Sequence, residues 1–437
     1  MMKSRVAIAK KAFPIILANA SVPLLGLVDT ATMGHTGGAQ EIGAIALGAL
    51  VFSFLYWGFG FLRMGTTGYV SQAFGAGRYD EIRNIGLRYA VIAAAIGVLF
   101  IFLQQVILPI SLYLLDTSEA IKRLVGDYFH IRIWGAPATL GMYALLGILI
   151  GLGETKKLLI LQLILNGLNI MLNVIFVVFL SFGVKGIALG TVLAEWTALL
   201  FGIWMVWRTL NRLSPIANQT INWKLLFEKS QLTEMMQTNG NIMVRTLALL
   251  FGFAWFTNRG AGFGDGILAA NHILLQFVSL SAFFLDGYAY VVEMMVGENI
   301  GARNQRTFKT ELKLANELAG ATALVLAILF FFGGELAIDG LTTDQTVREF
   351  AYQFLPLACL YILFSFYAFQ LDGVFIGATL SKEMRNASVF SVLVFLACSV
   401  LLSHFFGNKG LWASFIIYVS VRGLSLHYYM PRVRNLF

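Results

Sequence analysis

Runs of about 20 or more mostly apolar residues recur along nearly the whole chain, and that is the length a helix needs to cross the hydrocarbon of a bilayer. They fall at about 12–34, 42–75, 85–113, 124–152, 158–182, 186–207, 234–258, 266–299, 311–333, 350–377, 386–406 and 411–430, twelve spans in 437 residues. Only 12% of the residues are charged and 58% are hydrophobic, about half the charged share of a soluble domain. A water-soluble globular protein is excluded, and the remainder holds no sizeable soluble domain. The expected fold class is all-α and integral to the membrane. Several runs exceed the minimum length, which predicts tilted or bent helices, and Pro23, Pro137 and Pro356 inside spans remove backbone donors and permit kinks.

The net charge of +8 is not gathered into one patch for nucleic acid; Lys and Arg stand in short clusters between the apolar runs and read as topology signals. One side of the membrane collects 21 of them, from Lys3, Arg5, Lys10 and Lys11 to Arg432 and Arg434, and the other side 6. The tendency of basic loops to stay inside puts both termini and the longest connection, 208–233, in the cytoplasm. The first run is too long for a signal-peptide core and reads as a retained span. Cys359 and Cys398 both lie in apolar stretches, which excludes a disulfide framework or a thiolate metal site of the usual spacing.

The chain repeats itself at an offset near 226. Gly147-Ile-Leu-Ile-Gly151 with Lys156 matches Gly373-Val-Phe-Ile-Gly377 with Lys382, and Gly75-Ala76 matches Gly301-Ala302. At an offset of 224, Phe182-Gly183-Val-Lys185-Gly186 resembles Phe406-Gly407-Asn-Lys409-Gly410. The division expected is a first lobe over 1–207, a connection over 208–233 and a second lobe over 234–437. Each lobe holds six spans, an even number, so both enter the membrane with the same orientation. A pseudo-two-fold axis along the membrane normal and a central cavity between the lobes are the expected consequences.

An ionisable group in hydrocarbon is costly and marks a pathway or site by default. Asp29 lies in the first span, six residues after Pro23 and roughly 8 Å below its outer end at 1.5 Å per residue. The fifth span carries Asn166, Asn169 and Asn173 on one helical face. Thr191, one turn into the sixth span, falls at a comparable depth. Asp29, Asn169, Asn173 and Thr191 are therefore expected to converge in the first lobe; the bland alternative is interhelical hydrogen bonding around a buried acid. In the second half, Asp286 and Glu293 share a face of the eighth span, Asp372 lies in the tenth, and Arg245 in the seventh is a candidate counter-ion. These read equally as a structural network or as a substrate or ion site. Arg63, Glu195, Asn271 and His272 are weaker candidates. Among 37 Phe and 14 Met, some are candidates to line a cavity for flat lipophilic cations, although most face lipid or other helices.

Val28-Asp29-Thr30-Ala31, Ser71-Gln72-Ala73-Phe74-Gly75-Ala76-Gly77, Asn169-Ile-Met-Leu-Asn173 and Gly186-Ile-Ala-Leu-Gly-Thr191, in a repeat of six and six spans, resemble the multidrug and toxic compound extrusion (MATE) transporters over essentially the whole chain. Phe284-Leu-Asp286-Gly287-Tyr-Ala289 and Leu371-Asp372-Gly373-Val-Phe-Ile-Gly377 resemble the DinF-like branch. The resemblance implies an efflux antiporter that alternates between outward-open and inward-open states, with an Asp at the position of Asp29 and polar partners on spans 5 and 6 binding the coupling cation; bending at Pro23, as a hinge, is expected to alter the lobe cavity as Asp29 changes its occupant. Asn173 departs from members that carry an Asp there, which removes one carboxylate. A single carboxyl among amides suits a proton, the favoured coupling ion; Na+ at Asp29 with Asn and Thr oxygens is the alternative.

No H-E-x-x-H, G-x-S-x-G or phosphate-binding loop occurs, so the protein is expected not to be an enzyme, to carry no cofactor or resident metal, and to be driven by an ion or substrate gradient. Expected partners are small lipophilic or cationic substrates and membrane lipids, without nucleic acid, and a monomer in the bacterial inner membrane is expected. A lipid-intermediate flippase would call for more spans and a strongly cationic cavity, and an integral-membrane transferase for a clustered site at one membrane face.

Overall fold

The computed structural model describes residues 5–36, 38–114, 117–213 and 228–437, and among the described residues there are helices and no strand. Lys3, Lys224 and the stretch 214–227 of the expected connection lie outside the described residues. The helices are α1 (Arg5–Thr36), α2 (Ala39–Trp57), α3 (Phe61–Gly75), α4 (Tyr79–Leu114), α5 (Glu119–Arg132), α6 (Ala136–Gly151), α7 (Thr155–Val174), α8 (Gly183–Leu213), α9 (Lys229–Ala261), α10 (Asp265–Gly301), α11 (Gln305–Leu341), α12 (Gln345–Gly377) and α13 (Ser381–Arg434).

Eleven helical stretches among the described residues are long and apolar enough to cross a membrane. The last, α13, has 54 residues, about 81 Å at 1.5 Å per residue, against a hydrocarbon core of about 30 Å. Its backbone leaves helical geometry at Gly407, with φ 57° and ψ −137°, inside the repeated Phe406–Gly410 motif. One continuous element thus supplies two spans, which brings the total to the expected twelve. Two further spans are assembled from pieces. The run at 42–75 consists of α2 and α3, and the run at 124–152 of α5 and α6 around a 3-10 turn over Ile133–Gly135. Pro137 sits in the first turn of α6, where its missing N–H has no partner to lose. Pro356 lies within α12, while α1 runs unbroken through the exposed Pro23.

The sequence repeat reappears as repeated backbone geometry. A Cβ on Gly147 would come within 2.5 Å of the Arg63 carbonyl oxygen, and one on Gly373 within 2.5 Å of that of Ala289. A Cβ on Gly151 would meet Val70, and one on Gly377 would meet Val296. Each pair of partners keeps the same offset, so small residues every fourth position seat α6 on α3 and α12 on α10 in the same manner. Left-handed residues repeat as well: Gly77 (φ 70°) answers Arg303 (φ 52°), and Gly153 (φ 69°) answers Thr379 (φ 56°). A β-branched residue at positive φ is strained. Thr379→Gly is therefore expected to stabilise the protein by up to about 1 kcal/mol, read as a raised melting temperature in detergent; an unchanged or lowered value would show that the turn carries no strain.

The chain divides into two compact units, one of Leu17–Met235 and one of Met1–Ile16 with Met236–Phe437. The division falls inside α1. Arg5 pairs with Glu317 of α11 at 2.5 Å, and Ala12 and Ile16 lie against Gly287 of α10. These contacts group the first turns of α1 with the second half of the chain, whereas the boundary at 1–207 assigned them to the first.

Candidate functional site

In the unit formed by Leu17–Met235, α7 presents Asn166, Asn169 and Asn173, all buried, on one face. After Asn173 the helix loosens into a π-helical turn over Ile175–Phe179. A tight reversal, with Ser181 and Gly183 both at φ 55°, then returns the chain along α8. The close approach of α8 depends on Gly190, where a Cβ would stand 2.1 Å from Asn173 Oδ1.

This packing closes a directed chain of hydrogen bonds. Thr191 Oγ1 donates to the Ile187 carbonyl (2.8 Å) and accepts from Asn169 Nδ2 (2.9 Å). Asn173 Nδ2 donates to Asn169 Oδ1 (2.9 Å) and to Asp29 Oδ1 (2.6 Å). The four residues expected to converge are thus joined one to the next, and the half-buried Asp29 receives the last bond. Asn166 is turned to a different partner, donating to Ser21 Oγ at 2.6 Å, which in turn donates to the Ala18 carbonyl.

Asn173 spends both of its amide hydrogens in this chain, and its Oδ1 is buried without a hydrogen-bond partner. Asp29 Oδ1 accepts from an amide whether or not the carboxyl is charged, so the bond persists when Oδ2 takes or gives up a proton. The arrangement can therefore exchange one positive charge while holding its geometry. Gly190→Ala drives a methyl group into Asn173 and displaces the amide from Asp29. A donated hydrogen bond favours the charged carboxylate, so its loss is expected to tighten proton binding at Asp29 roughly 10- to 100-fold, measured as a fall in the proton concentration giving half-maximal transport in vesicles. Unaltered ion dependence would separate Asn173 from the site.

A second ionic feature lies in the same unit. Arg132, the last residue of α5, grips Glu195 of α8 through two bonds, Nη1 to Oε2 at 2.8 Å and Nη2 to Oε1 at 2.5 Å. Both residues are buried, and the guanidinium lies over the rings of Phe52 and Tyr56. Glu195 was a weak candidate in the sequence; Arg132, embedded in an apolar run, carried the same signal and was overlooked. Arg63 is buried in α3, with its carbonyl against Gly147.

In the other unit Arg245, the candidate counter-ion for the second-half acids, pairs with Asp372, Nη2 to Oδ2 at 2.5 Å. Arg422 of α13, which sequence reasoning missed, approaches the same oxygen at 3.7 Å. Two guanidinium groups thus face one buried carboxylate oxygen of Asp372, while its Oδ1 is buried without a hydrogen-bond partner. Asp286 and Glu293 lie on α10, half-buried and buried respectively. Asn271 forms a reciprocal amide pair with Asn408 (2.8 and 2.9 Å) and accepts from Trp412 Nε1 (2.8 Å), pinning the bend at Gly407. His272 is exposed beside Gln276.

Helical bundles of membrane-spanning length, with one carboxyl held by amides inside the first, define a multi-pass membrane protein of the transporter class. The chain belongs to the MatE family, whose profile matches residues 14–175 and 242–418. DNA damage-inducible protein F of Escherichia coli K12 is 34% identical over 417 residues, 95% of this chain and 89% of its own length. The probable multidrug resistance protein NorM of Bacillus cereus is 22% identical over 424 residues, covering 93% and 90%. Among solved structures, a MOP superfamily transporter from Pyrococcus furiosus shares the fold with a TM-score of 0.87 at 17% identity, over 99% of this chain and 96% of that one.

Proposed function

We propose that the protein is a proton-coupled multidrug efflux antiporter of the bacterial inner membrane, with both termini in the cytoplasm, that acts as a monomer and exports lipophilic, often cationic compounds by alternating access. Asp29 is the coupling group, Asn173, Asn169 and Thr191 position it, and Pro23 is the point where α1 bends during the cycle. The observation that carries this reading is the 2.6 Å bond from Asn173 to Asp29 at the end of a polar chain inside an apolar bundle. Family membership and the multidrug-resistance relative support export of drugs. Coupling requires that the ion bind the two conformations with unequal affinity. Asp29 loses its proton facing one side and regains it facing the other, while drug and proton compete.

Sodium is the second reading, favoured by one observation: Asn173 Oδ1 is a buried oxygen without a hydrogen-bond donor beside Asp29, and hard cations take such oxygens as ligands. Vesicles loaded with a fluorescent lipophilic cation and energised separately by a proton or a sodium gradient decide between them. Movement under the proton gradient alone supports the first reading and movement under sodium alone the second. Absence of movement under both rejects coupled transport of such cations.

A further inference from the structure

We infer that a crevice formed by α11, α12 and the end of α13 binds one anionic phospholipid, with its phosphate on Lys309, Lys313 and Arg434 and an acyl chain along Leu312 and Phe366. The crevice encloses about 500 Å³, all within the unit that contains Met236–Phe437. Its wall on α11 consists of two adjacent rows, because residues four apart share a helical face. One row is Phe308, Leu312 and Asn316, and the next is Lys309, Lys313 and Glu317. The half-buried Leu312, above the buried Phe308, thus lies directly beside Lys309 and Lys313. Glu317, the acid in the lining, is already held by Arg5 at 2.5 Å. Among the described residues Lys309, Lys313 and Arg434 form no ion pair within 4 Å, so three positive charges face the crevice.

Depth argues for an amphiphile over a free anion. Arg434 is the last residue of α13 and Lys309 lies in the second turn of α11, so the cations stand at helix ends. Lys313 lies eight residues after the start of α11 and Phe366 11 residues before the end of α12, roughly 12 and 16 Å from those ends at 1.5 Å per residue. The crevice therefore runs from headgroup level towards acyl level. Arg303, Arg306, Lys382, Arg385 and Arg432 cluster at the same ends of these helices. Basic pockets between helices on the cytoplasmic side are where acidic headgroups bind. A free phosphate would satisfy the cations and leave Leu312 and Phe366 unused.

Native mass spectrometry of the full chain in detergent, titrated with phosphatidylglycerol, phosphatidylcholine or inorganic phosphate, tests this independently of transport. Phosphatidylglycerol is expected to bind at least about tenfold more tightly than phosphatidylcholine, with about fivefold lost per cation removed and about 100-fold in K309A/K313A/R434A. K309R/K313R, which keeps both charges, retains binding. If the triple variant does not purify, the single variant K313A carries the test with its fivefold loss. Equal affinity for the two lipids, an unchanged affinity in the alanine variants, or displacement of phosphatidylglycerol by millimolar inorganic phosphate each overturns the proposal. Loss of drug transport with lipid binding intact would bear on the function proposed above and leave this site standing.

Discussion

Asp29→Asn is expected to abolish gradient-driven efflux while leaving the protein folded and in the membrane. An Asn carbonyl at this position still accepts from Asn173 Nδ2, so the hydrogen-bonded chain through Asn169 and Thr191 survives. The exchangeable charge does not. Couplings between ion and substrate of about 1–3 kcal/mol correspond to affinity ratios of about 5- to 150-fold, and in this variant that ratio collapses to one. The readout is dye accumulation in energised inverted vesicles beside the variant's abundance in the membrane. Full accumulation would remove Asp29 from the mechanism. Asp29→Glu keeps the carboxyl and shifts it by one methylene, and partial activity is expected.

Arg132→Met is expected to destabilise the protein by about 3–5 kcal/mol, because it leaves the Glu195 carboxylate buried with its partner gone. The pair is bidentate and almost fully enclosed, and Gly135 makes room for it: a Cβ there would stand 2.5 Å from Glu195 Oε2. Replacing both partners with apolar residues, Arg132→Met with Glu195→Leu, removes the two desolvated charges together and is expected to recover most of the loss. Thermal unfolding in detergent measures this. A double variant as unstable as the sum of the single ones would show that the two residues act separately.

Asp29, Asn169, Asn173 and Thr191 were legible in the sequence because polar groups among apolar neighbours stand out, and because helix direction and rise fix their depth. The spans were legible for the same reason, since hydropathy reports length and polarity. It averages over breaks, so the interruption of the second span between Trp57 and Phe61 and that of the fourth at Ile133–Gly135 were hidden. Arg132 and Arg422 were missed although the signal was present. Once the 27 basic residues assigned to the two sides of the membrane are set apart, four of 31 remain within spans. Arg63 and Arg245 were singled out from those four; Arg132 and Arg422 turn out to close the two buried ion clusters. Ser21, which binds Asn166, had no distinguishing signal, because Ser commonly satisfies itself on the carbonyl one turn earlier, as it does here on Ala18. The grouping of Arg5–Ile16 with the second half depends on contacts nearly 300 residues apart in sequence, such as Arg5 with Glu317 (|i−j| = 312). No local pattern encodes such a contact.

The proposed competition between drug and proton at Asp29 makes a direct demand on the purified protein. In weakly buffered detergent solution, adding a saturating lipophilic cation is expected to release about one proton per protein molecule, and none from Asp29→Asn, because linkage requires that each ligand weaken the other. Drug binding with no proton released from the wild type, or with the same release from Asp29→Asn, would contradict the assignment of Asp29 as the coupling group.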